Sequence, residues 1–297
     1  MIFKILVSLL FLVVSVFSFE LENEKNIDID SSNKEAQKSM QDWLNSEFAL
    51  KPYKPNYLLP FGYANEDYES YSADEYQNIE AEIQISLKLP VTKNLLGMDE
   101  MYYLAYSHKA FWQIYTESSP FRETNYNPEG FIVFPVYDSI SDVKLRTIKV
   151  SLAHQSNGQG EVSVKLDRNG NTEIVNRSRS INYFYADATF QYKDLLFDLT
   201  FLTPSFGKSN LSDNEDIMDY WGYTSAKIRY FNHKSIYTFM VRGNLSTGYG
   251  AVEATYSYPL LKDKTYIFAK FFNGYSESLI DYNNFVSKFS IGIAFSR

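Results

Sequence analysis

The sequence predicts an all-β protein, a transmembrane antiparallel β-barrel of about 12 strands. Three observations lead there. Segments of roughly ten residues alternate polar with apolar side chains, the period-two signature of strands with two different faces. Aromatic residues make up 17% of the chain, with 25 Tyr and 23 Phe, a load suited to the girdles a barrel places at the membrane interfaces. The chain opens on a short leader, Met1 to Lys4 followed by an apolar run to Phe17, that reads as an export signal.

The alternation is clean where Glu82, Gln84, Ser86 and Lys88 interleave with Ile83, Ile85, Leu87 and Leu89. It recurs around Asp198 and Thr200, around Glu253, Thr255 and Ser257, and where Lys288, Ser290 and Gly292 alternate with Phe289, Ile291 and Ile293. A soluble sandwich with one buried face carries the same period. The leader, the aromatic load and strands long enough to cross a bilayer at a tilt favour the barrel. A mean hydropathy of −0.30 agrees, because a polar lumen and an apolar exterior average to such a value. After the leader no stretch reaches about 18 consecutive apolar residues, so a membrane crossing must use strands.

In chain order, residues 1–18 form a signal peptide cut after Ser18. Residues 19–50 form a periplasmic or barrel-plugging segment, with helical character from Lys34 to Phe48. Residues 51–297 form the barrel, with strands near 52–63, 81–90, 100–115, 129–137, 143–156, 179–192, 195–203, 218–231, 234–244, 249–258, 264–274 and 286–296. An even number puts both barrel ends on one side. Turns such as Asn232-His233-Lys234 and Lys262-Asp263-Lys264 are then periplasmic, and the polar stretches 116–128, 157–178 and 205–217 are outside loops. A net charge of −8 with no basic cluster argues against nucleic-acid binding, and the absence of cysteine means this exported chain depends on no disulfide.

The candidate chemistry lies in His154-Gln155-Ser156-Asn157-Gly158 and Ser178-Arg179-Ser180-Ile181-Asn182. On a strand, side chains two apart share a face about 6.5 Å from each other, so a histidine at 154 can serve a serine at 156 as base. The returning strand brings Asn182 beside His154, where its amide oxygen can hold the imidazole in one tautomer. His154 continues the apolar row Ile148, Val150 and Leu152, and Asn182 leads into Phe184, Ala186 and Ala188. If those rows face lipid, so does the dyad. Taken alone, a His-x-Ser pair on a strand is a weak signal.

Five ordered stretches make it specific: Ser118-Ser-Pro-Phe-Arg-Glu-Thr-Asn-Tyr126, His154-Gln-Ser-Asn-Gly158, Ser178-Arg-Ser-Ile-Asn182, Thr247-Gly-Tyr-Gly250 and Gly274-Tyr-Ser-Glu-Ser-Leu-Ile-Asp-Tyr-Asn283. Through them the chain resembles the outer membrane phospholipase A family from about Tyr53 to the last strand. The resemblance implies a twelve-stranded barrel of the bacterial outer membrane that hydrolyses sn-1 and sn-2 acyl esters of phospholipids with Ca2+. It implies Ser156, His154 and Asn182 as triad and the Gly158 N–H as oxyanion donor. It implies calcium ligands at Ser178 and Gln159 of one subunit and Ser118 of another, hence a reversible homodimer when active, with Asp213 associated with calcium in the monomer. The family carries a glutamine in its dimer interface where this chain has His108. Three departures stand out: the 19-residue stretch Gln159 to Arg177, Ser276 in place of a glycine, and a chain end at Phe295-Ser-Arg297.

Two other readings share the barrel: a lipid A deacylase-type hydrolase, and a porin or structural barrel without chemistry. A porin needs an open lumen, and about twelve strands filled with long polar side chains leave little room. Trp112 and Trp221 read as interfacial anchors and His233 as a solvated turn residue. Arg179, Arg229, Lys88 and Glu253 share the lumen-facing parity of a polar network.

Overall fold

The structure is a computed structural model that describes residues 34, 50–69, 75–137, 142–160, 163–166, 172–205, 211–261 and 265–297. The leader, almost all of the segment expected before residue 50, and the Lys262-Asp263-Lys264 turn lie outside the described residues. Residues Leu50–Arg297 form one compact unit.

That unit is a closed antiparallel barrel of 12 strands. The strands are β2 (Asn56–Ala64), β3 (Ile79–Lys93), β4 (Met101–Trp112), β5 (Phe121–Pro135), β6 (Lys144–Ser156), β9 (Ser180–Tyr192) and β10 (Leu195–Pro204). They continue through β11 (Thr224–Asn232), β12 (Ser235–Gly243), β13 (Gly250–Leu261), β14 (Thr265–Gly274) and β15 (Val286–Ser296). β15 pairs with β2, and β3 pairs with both β2 and β4, which closes the sheet on itself and leaves no edge. The two-residue β1 (Lys51–Pro52) prolongs the pairing against Leu87 and Lys88 of β3. Two short strands, β7 (Ser163–Leu166) and β8 (Thr172–Val175), make a separate hairpin within the long connection from β6 to β9. A short helix, α1 (Ile217–Trp221), sits before β11.

The faces sort as the alternation demands. Ile85, Leu89, Val150, Leu152, Phe201, Phe239, Phe271 and Phe289 stand exposed on the outside, and Glu80, Glu82, Ser86, Lys270, Lys288 and Ser290 are buried inside. Inside, charge is neutralised locally. Arg122 Nε lies 2.9 Å from Glu80, Lys288 Nζ 2.9 Å from Glu80 and 3.2 Å from Glu277, and Lys109 Nζ 3.1 Å from Glu82. Lys270 joins Glu82 and Glu277, and Arg122 also meets Asp281. Buried ions persist only when so paired, because each alone costs several kcal/mol to take out of water. Glu277 belongs to the connection after β14. Burial works against its ionisation, but Lys288 and Lys270 hold its carboxyl below the usual carboxylate range.

Several expected boundaries are corrected. The stretch 116–128 is not a loop throughout, since Phe121 to Pro128 belong to β5. Its sequence hides this because no apolar row alternates through it: Glu123, Asn125 and Asn127 are buried inward, and the alternate positions mix Thr124, Tyr126 and the strand-disfavouring Pro128. The strand expected over 218–231 begins only at Thr224, and Ile217–Trp221 form the helix. Trp221 therefore packs against the cluster of Ala153, Ile181, Tyr183, Ile217 and Met218 and meets the Tyr183 ring edge-on at 5.2 Å, instead of anchoring in an interface. Arg179 donates to the carbonyls of Asn176 and Ser178 at the rim, outside the lumen network, whereas Arg229 joins Asp198 as its parity implies.

Candidate active site

β6 rises to Ser156 and β9 descends from Ser180, in a register that sets Ser156 opposite Ser180 and His154 opposite Asn182. Directly opposed residues share a face at contact range. His154 Nδ1 and Asn182 Oδ1 accordingly lie 2.8 Å apart. An amide oxygen only accepts, so Nδ1 is the donor, and in the neutral imidazole Nε2 is the nitrogen free to accept a proton. Ser156 shares that outward face two residues along. Among the described residues no hydrogen bond joins it to His154, an open arrangement common before substrate binds. Below the pair lie exposed Leu152, Val150 and Phe184, so the group faces outward at the long-loop end of the apolar surface.

Three asparagines hold this corner. The ladder between β5 and β6 pairs Tyr126 with Ser156 and Glu129 with Ala153, but skips the two positions between, where Pro128 has no N–H to give. Asn127 Nδ2 fills the gap by donating to the His154 carbonyl at 2.8 Å. Asn157, buried beside Ser156, donates from Nδ2 to the Arg177 carbonyl at 2.8 Å. Its Oδ1 accepts from the Arg179 N–H at 3.1 Å and the Gln159 N–H at 3.2 Å. Asn214, just before α1, accepts the Ser180 N–H at 2.9 Å. Behind the site, Ala153, Ile181 and Tyr183 point inward onto Ile217, Met218, Leu279 and Tyr282, so one pair of strands offers polar groups outward and is clamped from within.

Gly158 has φ +65, and a Cβ there would stand 2.9 Å from Tyr126 Cε2. Only glycine takes that conformation and that contact without strain. The Tyr126 ring in turn meets His108 edge-on, with centroids 5.3 Å apart.

The expected metal ligands divide. Ser178 Oγ donates to Asp213 Oδ2 at 2.6 Å, and Asn157 ties Gln159 to Arg179, the neighbour of Ser178. These hydroxyl, carboxylate and carbonyl oxygens fit a hard cation such as calcium. Among the described residues no three His, Cys, Asp or Glu side chains converge, so no carboxylate-rich cation cage is built here. Ser118 is exposed at φ +61 in the connection from β4 to β5, and among the described residues no hydrogen bond links it to Ser178, Gln159 or Asp213.

The profile of the family described as Phospholipase A1 matches residues 33–295. The chain belongs to that family. The phospholipase A1 of Proteus vulgaris is 32% identical over 256 residues, 84% of this chain and 82% of that one. The outer membrane phospholipase A of Escherichia coli superposes with a TM-score of 0.72 at 28% identity, covering 85% and 93% of the two chains. A mutant of that protein, described as an active-site asparagine-to-alanine variant, matches with the same TM-score at 27% identity. The outer membrane phospholipase of Salmonella typhi, solved as a dimer with bound calcium, also gives 0.72 at 28%, covering 85% and 94%. This family member is a phospholipase, a hydrolase of the bacterial outer membrane.

The register of β6 and β9 thus brings His154 and Asn182 together as the alternation expected. Asn127, Asn157 and Asn214 escaped the sequence reading because their partners are backbone groups of distant residues. Asn157 alone had a signal, its place inside the His154–Gly158 motif.

Proposed function

We propose that this phospholipase cleaves the sn-1 and sn-2 acyl esters of phospholipids in a calcium-dependent way, with Ser156 as nucleophile, His154 as base and Asn182 as the group that orients it. The observation that carries this reading is the 2.8 Å pair of His154 and Asn182 on the lipid-facing surface, two residues from a serine. The Escherichia coli relative, whose active site includes an asparagine, supports it.

A phospholipid in the membrane presents its ester to this face without leaving the bilayer. Ser156 Oγ attacks the acyl carbonyl carbon while His154 Nε2 takes the hydroxyl proton. Asn182 Oδ1 accepts from Nδ1–H throughout, and being neutral it is less costly than a carboxylate beside lipid. The tetrahedral oxyanion forms toward the Gly158 N–H, which the turn at φ +65 presents and the Asn157 clasp steadies. Collapse breaks the bond to the glycerol oxygen, which leaves as lysophospholipid with the proton from His154. Water, deprotonated by His154, then releases the fatty acid and restores Ser156.

Ser178 and the Gln159 carbonyl are the oxygens that would hold calcium in one chain of an active homodimer, with Ser118 supplied by the second copy, and Asp213 would serve with Ser178 in the monomer. The Salmonella typhi relative, a dimer with calcium, supports that arrangement. A bound ion would polarise the carbonyl that becomes the oxyanion. The test is fatty-acid release from defined phospholipids by purified protein in detergent, with calcium and with chelator. Release that depends on calcium and vanishes in Ser156→Ala is expected, and undiminished release by that variant refutes the assignment.

A further inference from the structure

The connection between β3 and β4 is unlike the two other turns at its end of the barrel that are described in full, Lys193–Asp194 and His233–Lys234, both of which are charged or ionisable. The β3–β4 connection instead presents Leu95, Leu96 and Met98, exposed by 66%, 62% and 59%. They continue a surface of exposed Leu89, Val91 and Leu104 on the two flanking strands, which is the lipid-facing surface of the barrel itself.

Its backbone is arranged to tolerate a place with little water. Asn94, Gly97 and Asp99 all take positive φ, curling the chain around the buried Glu100 carboxylate. Glu100 Oε1 accepts the Leu96 N–H at 2.7 Å and Oε2 the Met98 N–H at 3.1 Å. The Asn94 N–H reaches the Glu100 carbonyl at 2.7 Å, and the Asp99 N–H reaches Asn94 Oδ1 at 3.0 Å. Four amide donors are thereby satisfied inside the loop while its apolar side chains point away from it. A solvent-facing turn has no need of such internal satisfaction, since water supplies the partners, but a turn touching the bilayer does. The loop's exposed acid, Asp99, accepts from Tyr137 Oη at 3.5 Å, and Lys93 stands exposed at the end of β3.

We propose that residues 94–100 form a rigid lipid anchor: Leu95, Leu96 and Met98 insert into the headgroup–acyl boundary of the bilayer. Interfacial apolar groups settle about 5–10 Å into that boundary. The anchor lies on the β3–β4 face, so it fixes the depth of one side of the barrel wall.

The chain contains no cysteine, so single labels are unambiguous. Met98→Cys and Leu96→Cys, with His233→Cys as the polar-turn control, are labelled with an environment-sensitive fluorophore and reconstituted in phosphatidylcholine vesicles with and without brominated acyl chains. The expected result is blue-shifted emission and strong bromolipid quenching at 96 and 98, with aqueous iodide quenching confined to 233. Adding Glu100→Ala should reduce bromolipid quenching at 98, because two freed amides then seek water. Iodide quenching at 96 and 98 equal to that at 233 overturns the anchor. So does shielding that appears only as the protein-to-lipid ratio rises, which would assign this surface to a second copy of the chain. A heat-modifiability gel on each variant verifies that the barrel is folded.

Discussion

Ser156, His154 and Asn182 differ in what can replace them. Removing the serine hydroxyl leaves water or nothing to attack, so Ser156→Ala should abolish ester hydrolysis while the barrel still runs as a heat-modifiable band. Loss of the base in His154→Ala should lower kcat by about 10²–10⁴-fold, whereas Asn182→Ala should lose less, since water can take over part of an orienting bond. Equal losses in the two variants would contradict their separate roles. Gly158→Ala must place a methyl 2.9 Å from the Tyr126 ring in a left-handed backbone conformation. The N–H would then be misaimed, and a kcat loss of about 10²–10³-fold with little change in KM is expected, the scale of a lost oxyanion donor. Asn157→Ala should follow Gly158→Ala in that split. A change confined to KM would mean that neither residue shapes the oxyanion donor.

At the scale of elements, the site is a strand pair held at its open end. The gap left by Pro128 and the clasp of Asn157 mean that the ends of β6 and β9 are set by side-chain bonds, where a regular ladder would leave them free to fray. Ser178 and Asp213 belong to two different connections yet meet at 2.6 Å, so an ion bound there would tie those connections together. Because the oxygens are mostly neutral, calcium should be needed at millimolar levels. Ser118→Ala combined with Ser178→Ala should raise that requirement or remove activity. Full activity of the unmodified protein in excess chelator would reject the metal. The connection after β14 adds a pH signature. Glu277 is held below the usual carboxylate range, so the stability it contributes is present above about pH 4.3, its unfolded value, and is lost as pH falls through the lower folded value. The midpoint temperature of heat modification should fall steeply below that pH. Glu277→Gln should flatten the fall, and an unchanged profile would show that Glu277 does not carry it.

On the scale of the whole molecule, one barrel wall serves both fold and function. Its inner surface neutralises buried ions in a continuous network, and removing one cation leaves its buried carboxylate partners short of counter-charge. Lys288→Met should therefore destabilise the folded barrel by about 3–5 kcal/mol, measured as a shift in urea-dependent refolding into detergent. Its outer surface is where a second copy would dock. His108 lies on that surface in β4, with Tyr106 Oη 3.5 Å from Nδ1 and the Tyr126 ring edge-on to it, so it sits one ring away from Gly158. A polar group facing lipid is costly without a partner. In the homodimer reading, His108→Cys should crosslink between copies when calcium and a substrate analogue are present. No crosslink, together with activity linear in dilute protein, would remove His108 from any subunit contact.

The fold and the meeting of His154 with Asn182 were legible because both rest on local periodicity. Alternation at Glu82 to Leu89 names the two faces of a strand, and a two-residue spacing puts His154 and Ser156 on one of them whatever surrounds it. The Ser276 departure was also legible: it adopts the φ of +59 that favours glycine, and its Oγ offsets this by donating to the Tyr282 carbonyl at 2.9 Å. What stayed hidden depends on partners far along the chain. Phe121 to Pro128 carry no alternating apolar row, and only the buried carboxylates, amides and lysines across the lumen make them a strand. Ile217 to Trp221 carry too few residues for a helical period to appear, and they are helical because Ala153, Ile181 and Tyr183 offer an apolar seat beneath the site. Periodicity records which way a side chain points; which distant atom it meets is settled when the closed barrel brings β6, β9 and the connections beyond them to one rim.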